Sequence, residues 1–251
     1  MPLSLSIASI SSDPRESISL ASALMSSLGE PRVHLDATFP GLRPRELDRS
    51  ARRDLASILK RAGVLATGID LFLPPAHLAD ASHVDRAVQA ILDAVELISD
   101  LAALGSIDAG VLCLALPPRP LANAMQAIAS AALERSLAIA DFSLAAPPDI
   151  PASIARGVDC AQAIAAGHDP ATLVARGVAA IRLCDWDGSK RVPIGKGRLD
   201  VQSTVASASV AAPAAPVVVD LRGIDRATGQ SWEAWAKGAA EAWKGGLPRG
   251  V

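Results

Sequence analysis

Apolar residues fall along this chain in short runs that alternate with longer stretches where they recur at helical spacing. Residues 3–10 read as a first strand and 14–28 as the helix that follows it. Residues 32–35 form a second strand ending at Asp36, and the helix predicted over 44–62 leads into a third strand, 64–72, which Pro74 and Pro75 stop. The longest helix is predicted over 84–104. Val84, Ala87, Val88, Ile91, Leu92, Val95, Leu97 and Ile98 give it a broad buried stripe, and Ser82-His83-Val84-Asp85 has the spacing of a capping box with Asp in place of Glu. A fourth strand over 110–116, a helix over 121–135 and a fifth strand over 137–140 ending at Asp141 continue the order. Gly157 and Val158 approach Asp159 on the sixth strand, and a helix within 163–176 is interrupted between Gly167 and Pro170. Strand seven follows at 178–183. Pro, Ala and Ser dominate 203–216, which reads as a poorly helical connection to strand eight at 216–219. In the last helix, 231–243, Trp232, Trp235 and Trp243 sit close to one face and read as a packing surface.

Eight strands alternating with helices imply a parallel sheet, and a chain of 251 residues matches one closed (β/α)8 TIM barrel, an α/β fold read here as a single domain over 1–251. Only 17 residues separate Asp141 from Asp159, and Pro147, Pro148 and Pro151 are among them. The barrel is therefore expected to have the helix after strand five shortened or missing.

Composition narrows the picture. Half the residues are apolar while aromatics make up 3% and Tyr is absent, so the core must be filled by small and branched aliphatics. A formal charge of -2 gives no overall footprint for nucleic acid. The basic run from Arg43 to Arg61 is interleaved with Glu46, Asp48 and Asp54 around a helix, which suits a solvated outer face. No run of about 20 apolar residues reads as a membrane span. Met1 to Ser12 has neither a preceding basic residue nor a clear cleavage site. Cys113, Cys160 and Cys184 form no C-x-x-C pair, so neither a disulfide framework nor a zinc knuckle is indicated and a reducing, cytoplasmic setting fits. Cys160 and Cys184 adjoin acids, which work against a reactive thiolate.

Chemistry is expected at the strand ends, because a parallel barrel builds its site at the C-terminal rim. Asp141, Asp159 and Asp220 each follow an apolar run there, and three converging carboxylates repel unless a cation bridges them. The stretch from Ile181 to Asp200 runs from a strand into an acid and a glycine-punctuated loop, and Val217-Val218-Val219-Asp220 repeats the first half of that pattern. Arg182-Leu183-Cys184-Asp185, then Gly195-Lys196-Gly197-Arg198-Leu199-Asp200, then Val217 to Asp220 resemble the closing third of the xylose-isomerase-like TIM-barrel family, the sugar-phosphate isomerases and epimerases. In that family the corresponding elements are H-x-x-D, G-x-G-x-x-D and a strand ending in Glu.

The resemblance implies a divalent metal, Mn or Mg for a set of oxygen ligands without imidazole, and proton transfer next to the carbonyl of a sugar or sugar phosphate. Asp141 stands where the family has its first metal-binding Glu, Asp159 where it has Asp, Arg182 where it has His and Asp220 where it has its last Glu. By the same resemblance Asp141 and Asp220 would be the catalytic acid and base, and Asp141, Asp159 and Asp220 the metal ligands. The departures have chemical content. Asp is one methylene shorter than Glu, which withdraws each carboxylate by about 1.5 Å from the reacting carbon, and Arg182 is a permanent cation that cannot ligate a metal. Gln162 occupies a further position where the family often has His. A guanidinium replacing the metal is the other reading of the same residues.

For substrate binding the candidates are His77, Asp36, Arg182 and the basic loop of Lys190, Arg191, Lys196 and Arg198, a phosphate or carboxylate clamp at the mouth. His168, at a turn before a helix, reads as structural. Two functions stay open: a metal-assisted isomerase or epimerase, and a non-catalytic barrel that binds a small molecule or partner without metal. The apurinic-endonuclease branch of the superfamily is disfavoured, since His34, His77, His83 and His168 include none at an H-x-x-D or D-x-x-H strand end. No nucleic acid or membrane is expected as a partner; assembly into a homo-oligomer stays open.

Overall fold

The computed structural model describes residues 1–145, 150–225 and 231–247. Its strands in chain order are β1 (Leu3–Ser6), β2 (Arg32–Asp36), β3 (Leu65–Asp70), β4 (Ile107–Leu114), β5 (Ala138–Asp141), β6 (Ile154–Asp159), β7 (Ala180–Leu183), β8 (Asp185–Trp186), β9 (Arg191–Val192) and β10 (Val217–Val219). Eight of them are parallel and close into a barrel in the order β1-β10-β7-β6-β5-β4-β3-β2, while β8 and β9 form an antiparallel hairpin outside it. The helices are α1 (Pro14–Ser27), α2 (Arg49–Ala62), α3 (Val84–Ala103), α4 (Ala122–Glu134), α5 (Cys160–Ala165), α6 (Pro170–Val174), α7 (Val201–Ala211) and α8 (Trp232–Gly246). This is the expected (β/α)8 barrel. Among the described residues between β5 and β6 there is no helix, as the prolines imply; Pro147 and Pro148 themselves lie outside the described residues.

Aspartates start most of these helices. Asp13, Asp48, Asp159, Asp169 and Asp200 each accept a hydrogen bond from an amide of the first turn, satisfying donors the helix cannot pair internally. The cap at Asp48 corrects one expected boundary, since residues 44–46 form a separate 3-10 turn before α2 begins. The cap at Asp200 corrects another. Residues 201–211, expected to be poorly helical, form α7, because the cap starts it and Thr204, Val205 and Ala208 are buried between α6 and α8. The capping box expected at Ser82 is absent. Asp80 instead accepts from the Ser82 amide and hydroxyl, both at 2.8 Å, and His83 precedes α3 without a side-chain cap. The first strand is shorter than expected, giving way to a 3-10 turn at residue 7.

The main apolar core lies between strands and helices and takes in Trp235 and Trp243 from the tryptophan stripe. A separate small cluster of Val111, Cys113, Ala140, Phe142 and Ala180 joins β4, β5 and β7, strands that are not all neighbours in the sheet, so it fills one side of the barrel interior. Polar groups are buried as well: Ser4, His34, Thr67, Asp70 and Arg182. Gly68 makes room for this arrangement. A Cβ on it would overlap the Val111 carbonyl oxygen and come within 2.6 Å of Val111 Cγ1 and 2.9 Å of His34 Cε1. Gly68→Ala is therefore expected to destabilise the chain by about 2–3 kcal/mol through overpacking. An unchanged urea midpoint would show that the barrel wall yields.

Candidate ligand site at the barrel mouth

Because all eight barrel strands are parallel, Asp36, Asp70, Asp141, Asp159 and Asp220 reach the same rim from the ends of β2, β3, β5, β6 and β10. The structure joins two of the three acids singled out by the sequence. Arg191 Nη1 donates to Asp159 Oδ2 at 2.9 Å and its Nη2 donates to Asp220 Oδ2 at 3.0 Å, so one guanidinium spans both carboxylates. Asp220 also takes Arg222 in a fork, Nε to Oδ1 at 2.8 Å and Nη2 to Oδ2 at 2.7 Å, along with the Arg222 amide. The other Asp159 oxygen accepts from the Gln162 amide and caps α5. Asp141 is bonded locally. It accepts from the Leu116 amide, the Ser143 amide and the Ser143 hydroxyl, and so ties the loop after β4 to the loop after β5.

Arg182 does not bridge the Asp159–Asp220 pair. It is buried in an ion pair with Asp70, an acid the sequence left inside a strand, and its guanidinium lies 3.8 Å from the Phe142 ring centroid and 5.0 Å from that of Phe72. Arg222 Nη2 approaches the other Asp70 oxygen at 3.3 Å and its guanidinium covers Phe72 at 3.8 Å. Three arginines and three aspartates thus interlock, with the aromatic faces adding cation–π contact. Asp70 and Arg222 were missed because neither stands in a recognisable motif. The only sequence signals were an acid at the end of an interior strand and a cation two residues after Asp220.

Arg191 reaches the mouth because the loop after β7 folds back on itself. Asp185 accepts from the amides of Trp186 and Leu199 at 2.8 Å, Gly195 at 3.1 Å and Gly197 at 3.0 Å. A side chain at Gly197 would collide with the Asp185 carboxylate, so the glycines serve this internal clamp. The hairpin β8–β9 then carries Arg191 inward, leaving Lys190, Lys196 and Arg198 exposed. Lys190 pairs with Asp225 at 3.7 Å. His77 stacks on His83 with ring centroids 4.6 Å apart, in the turn after β3. It is not among the residues lining the mouth cavity. That cavity has a volume of about 410 Å³, and Phe72, Leu114, Phe142, Gln162, Arg191 and Arg222 are among the residues that line it.

Electrostatics at the site follow from burial set against these partners. Burial alone would raise the Asp70 carboxyl, but Arg182, His34 and Arg222 outweigh it and hold the group well below the usual carboxylate range. For Asp220, burial is likewise outweighed by Arg222 and then Arg191, and its carboxyl is lowered. Asp36 goes the other way, raised by burial against its hydrogen bonds with Thr38. Burial pushes the Cys184 thiol up to about 12 and that of Cys160 well above its ordinary value, so both are inert packing groups near neutral pH.

The fold and its acid-and-arginine mouth define a (β/α)8 barrel with a small-molecule-sized pocket at the C-terminal rim. No family model matches the sequence, and no curated protein matches it either. Solved structures do match along the whole chain. A D-allulose 3-epimerase from Methylomonas sp. superposes with a TM-score of 0.69 at 13% identity, covering 98% of this chain and 96% of its own. A sugar phosphate isomerase/epimerase from Parabacteroides distasonis gives 0.70 at 11%, covering 98% and 95%. A xylose isomerase domain protein from Alicyclobacillus acidocaldarius gives 0.66 at 14%, covering 98% of each. The chain thus shares the fold of the xylose-isomerase-like barrels that its late strands resemble.

Removing one partner of the deepest pair exposes its cost. Arg182→Met leaves the buried Asp70 charge with only Arg222 and His34 beside it and is expected to lower stability by about 3 kcal/mol, with Asp70→Asn added to it restoring part of the loss. Equal losses in the single and double variants would mean that the pair is not coupled. Acid should act through the same carboxylates. Asp70 and Asp220 are depressed, so the stability they contribute is complete above about pH 4, the unfolded carboxylate value, and disappears as pH falls through their lower folded values. Unfolding free energy measured from pH 6 down to pH 2 should fall in that direction, and a flat profile would contradict the assignment.

Proposed function

We propose that this chain is a small-molecule-binding barrel for a sugar-sized, hydroxylated ligand, and that guanidinium groups occupy the place where a metal-dependent relative would hold its ion. One observation supports this above the rest: Arg191 spans Asp159 and Asp220, filling the oxygens that a divalent ion would need. The donor set does not fit such an ion. Arg182 brings a fixed positive charge to the same rim, and Asp141 spends its oxygens on Leu116 and Ser143. Nor is Asp220 suited to be a general base, since a carboxylate held low by two arginines is a weak proton acceptor.

Sugar-like ligands are favoured by the cavity. Its volume falls in the roughly 300–1,000 Å³ range of small-molecule sites, and a lining that mixes apolar side chains with hydrogen-bond donors suits a ring with C–H faces and hydroxyl edges. Proteins with this fold include a D-psicose 3-epimerase solved in the presence of D-fructose and a D-allulose 3-epimerase in complex with D-allulose. That likeness also supports a second reading, in which the chain is a sugar or sugar-phosphate isomerase or epimerase. There Asp141, Asp159 and Asp220 would hold Mn or Mg after Arg191 swings away, with Asp141 and Asp220 transferring the proton, and His77, Arg182, Lys190 and Lys196 would contact substrate.

Equilibrium Mn binding to chelator-stripped protein near neutral pH separates the two. The wild-type chain is expected not to bind Mn in the micromolar range, and thermal shifts with ketohexoses and their phosphates should be reduced by Arg191→Met. Micromolar Mn binding that is lost in Asp159→Ala would overturn the metal-free reading and establish a metal site, and turnover of a ketohexose or its phosphate would then be required for the second.

A further inference from the structure

We propose that the ligand of the mouth is a glycoside whose apolar aglycone occupies a second cavity beside it. This rests on the sugar reading of the mouth and names the group that the bound sugar carries. The second cavity has a volume of about 640 Å³. Ala115 and Gln162 line both spaces, so the two meet at these residues. The loops after β4 and β5 run from one space into the other. Leu114 and Phe142 line the mouth, while Leu116, Pro117, Ser143 and Leu144 line its neighbour.

The two spaces differ in chemistry. The mouth is lined by Arg182, Arg191 and Arg222 with Asp159 and Asp220, and Arg182 Nε is a buried donor without a hydrogen-bond partner. A group rich in oxygen suits that lining. In the second cavity Pro75, Ala76, Ala79, Leu116, Pro117 and Leu144 present carbon. Of the residues around it only Arg119 is charged, and that side chain is exposed. The Ser143 hydroxyl is already taken by Asp141 at 2.7 Å. A second sugar ring would leave hydroxyls unpaired there, whereas an apolar ring gains by leaving water.

Gln162 stands at the junction. Its backbone amide donates to Asp159, and among the described residues its carboxamide makes no hydrogen bond. A carboxamide at the meeting point of the cavities can donate to the oxygen that links sugar to aglycone. Asp141 has a positioning role in the same arrangement. By accepting from the Leu116 amide and from the amide and hydroxyl of Ser143, it fastens together the two loops that form the wall of the second cavity.

The test is titration calorimetry of the whole chain with the methyl and phenyl pyranosides of D-glucose, D-galactose, D-mannose and D-xylose, with phenol as a control. For any sugar that binds, the phenyl glycoside is expected to bind about tenfold tighter than the methyl glycoside, and phenol alone not to bind. Ala79→Glu, a change at an exposed position of the second cavity, should abolish that advantage and leave the methyl glycoside unaffected. Gln162→Leu should weaken both glycosides by about tenfold. Equal affinity of methyl and phenyl glycosides, an advantage that persists in Ala79→Glu, full affinity in Gln162→Leu, or phenol binding as tightly as the phenyl glycoside would each overturn the inference. Ketohexoses that raise the melting temperature while no glycoside binds would overturn it and leave the sugar reading standing. Silence from ketohexoses and glycosides alike would overturn both.

Discussion

Everything at the mouth of this barrel depends on neutralising carboxylates that the fold forces out of water. Closing a parallel sheet brings the strand ends together, and Asp70 and Asp220 become almost wholly buried. An ionised carboxylate in that position is tolerated only with a cation and hydrogen bonds around it. Arg182, Arg191 and Arg222 supply both, and each holds a different part of the rim. Arg182 comes from a barrel strand, Arg191 from the β8–β9 hairpin and Arg222 from the turn after β10. The dependence runs further back. The hairpin can present Arg191 only because Asp185 gathers the amides of Gly195, Gly197 and Leu199 beneath it.

This arrangement bears directly on chemistry. A metal ion and a guanidinium solve the same electrostatic problem, but a metal leaves coordination positions open to a substrate oxygen, while a guanidinium spends its donors on the acids. The forked contacts of Arg222 and the bridge of Arg191 therefore turn potential ligands into structural anchors. What remains available is a cavity with an aromatic wall and the free edges of the arginines, which suits recognition better than proton abstraction.

Much of the architecture was legible before the structure. Short apolar runs ending in Asp36, Asp141, Asp159 and Asp220 marked real strand ends, and among the described residues between β5 and β6 there is no helix, in line with the prolines after Asp141. Local chemistry was read less well where a residue had two uses. Asp200, part of the glycine-loop pattern, caps a helix that its Ala- and Ser-rich sequence seemed too weak to form. Asp80 organises the turn before α3 in place of the capping box expected at Ser82. Arg182 was read as a cation that could neutralise the acids, but its partner is Asp70, and the bridge between Asp159 and Asp220 is made by Arg191.

The sequence by itself determined the order of strands and helices and the placement of acids at strand ends, because both follow from periodicity and turn chemistry within a few residues. Only the tertiary structure decided which arginine meets which aspartate. Those choices join residues such as Arg182 and Asp70, which are 112 positions apart. They depend on how barrel closure and the Asp185-held loop set the reach of long side chains, and no local pattern encodes that geometry.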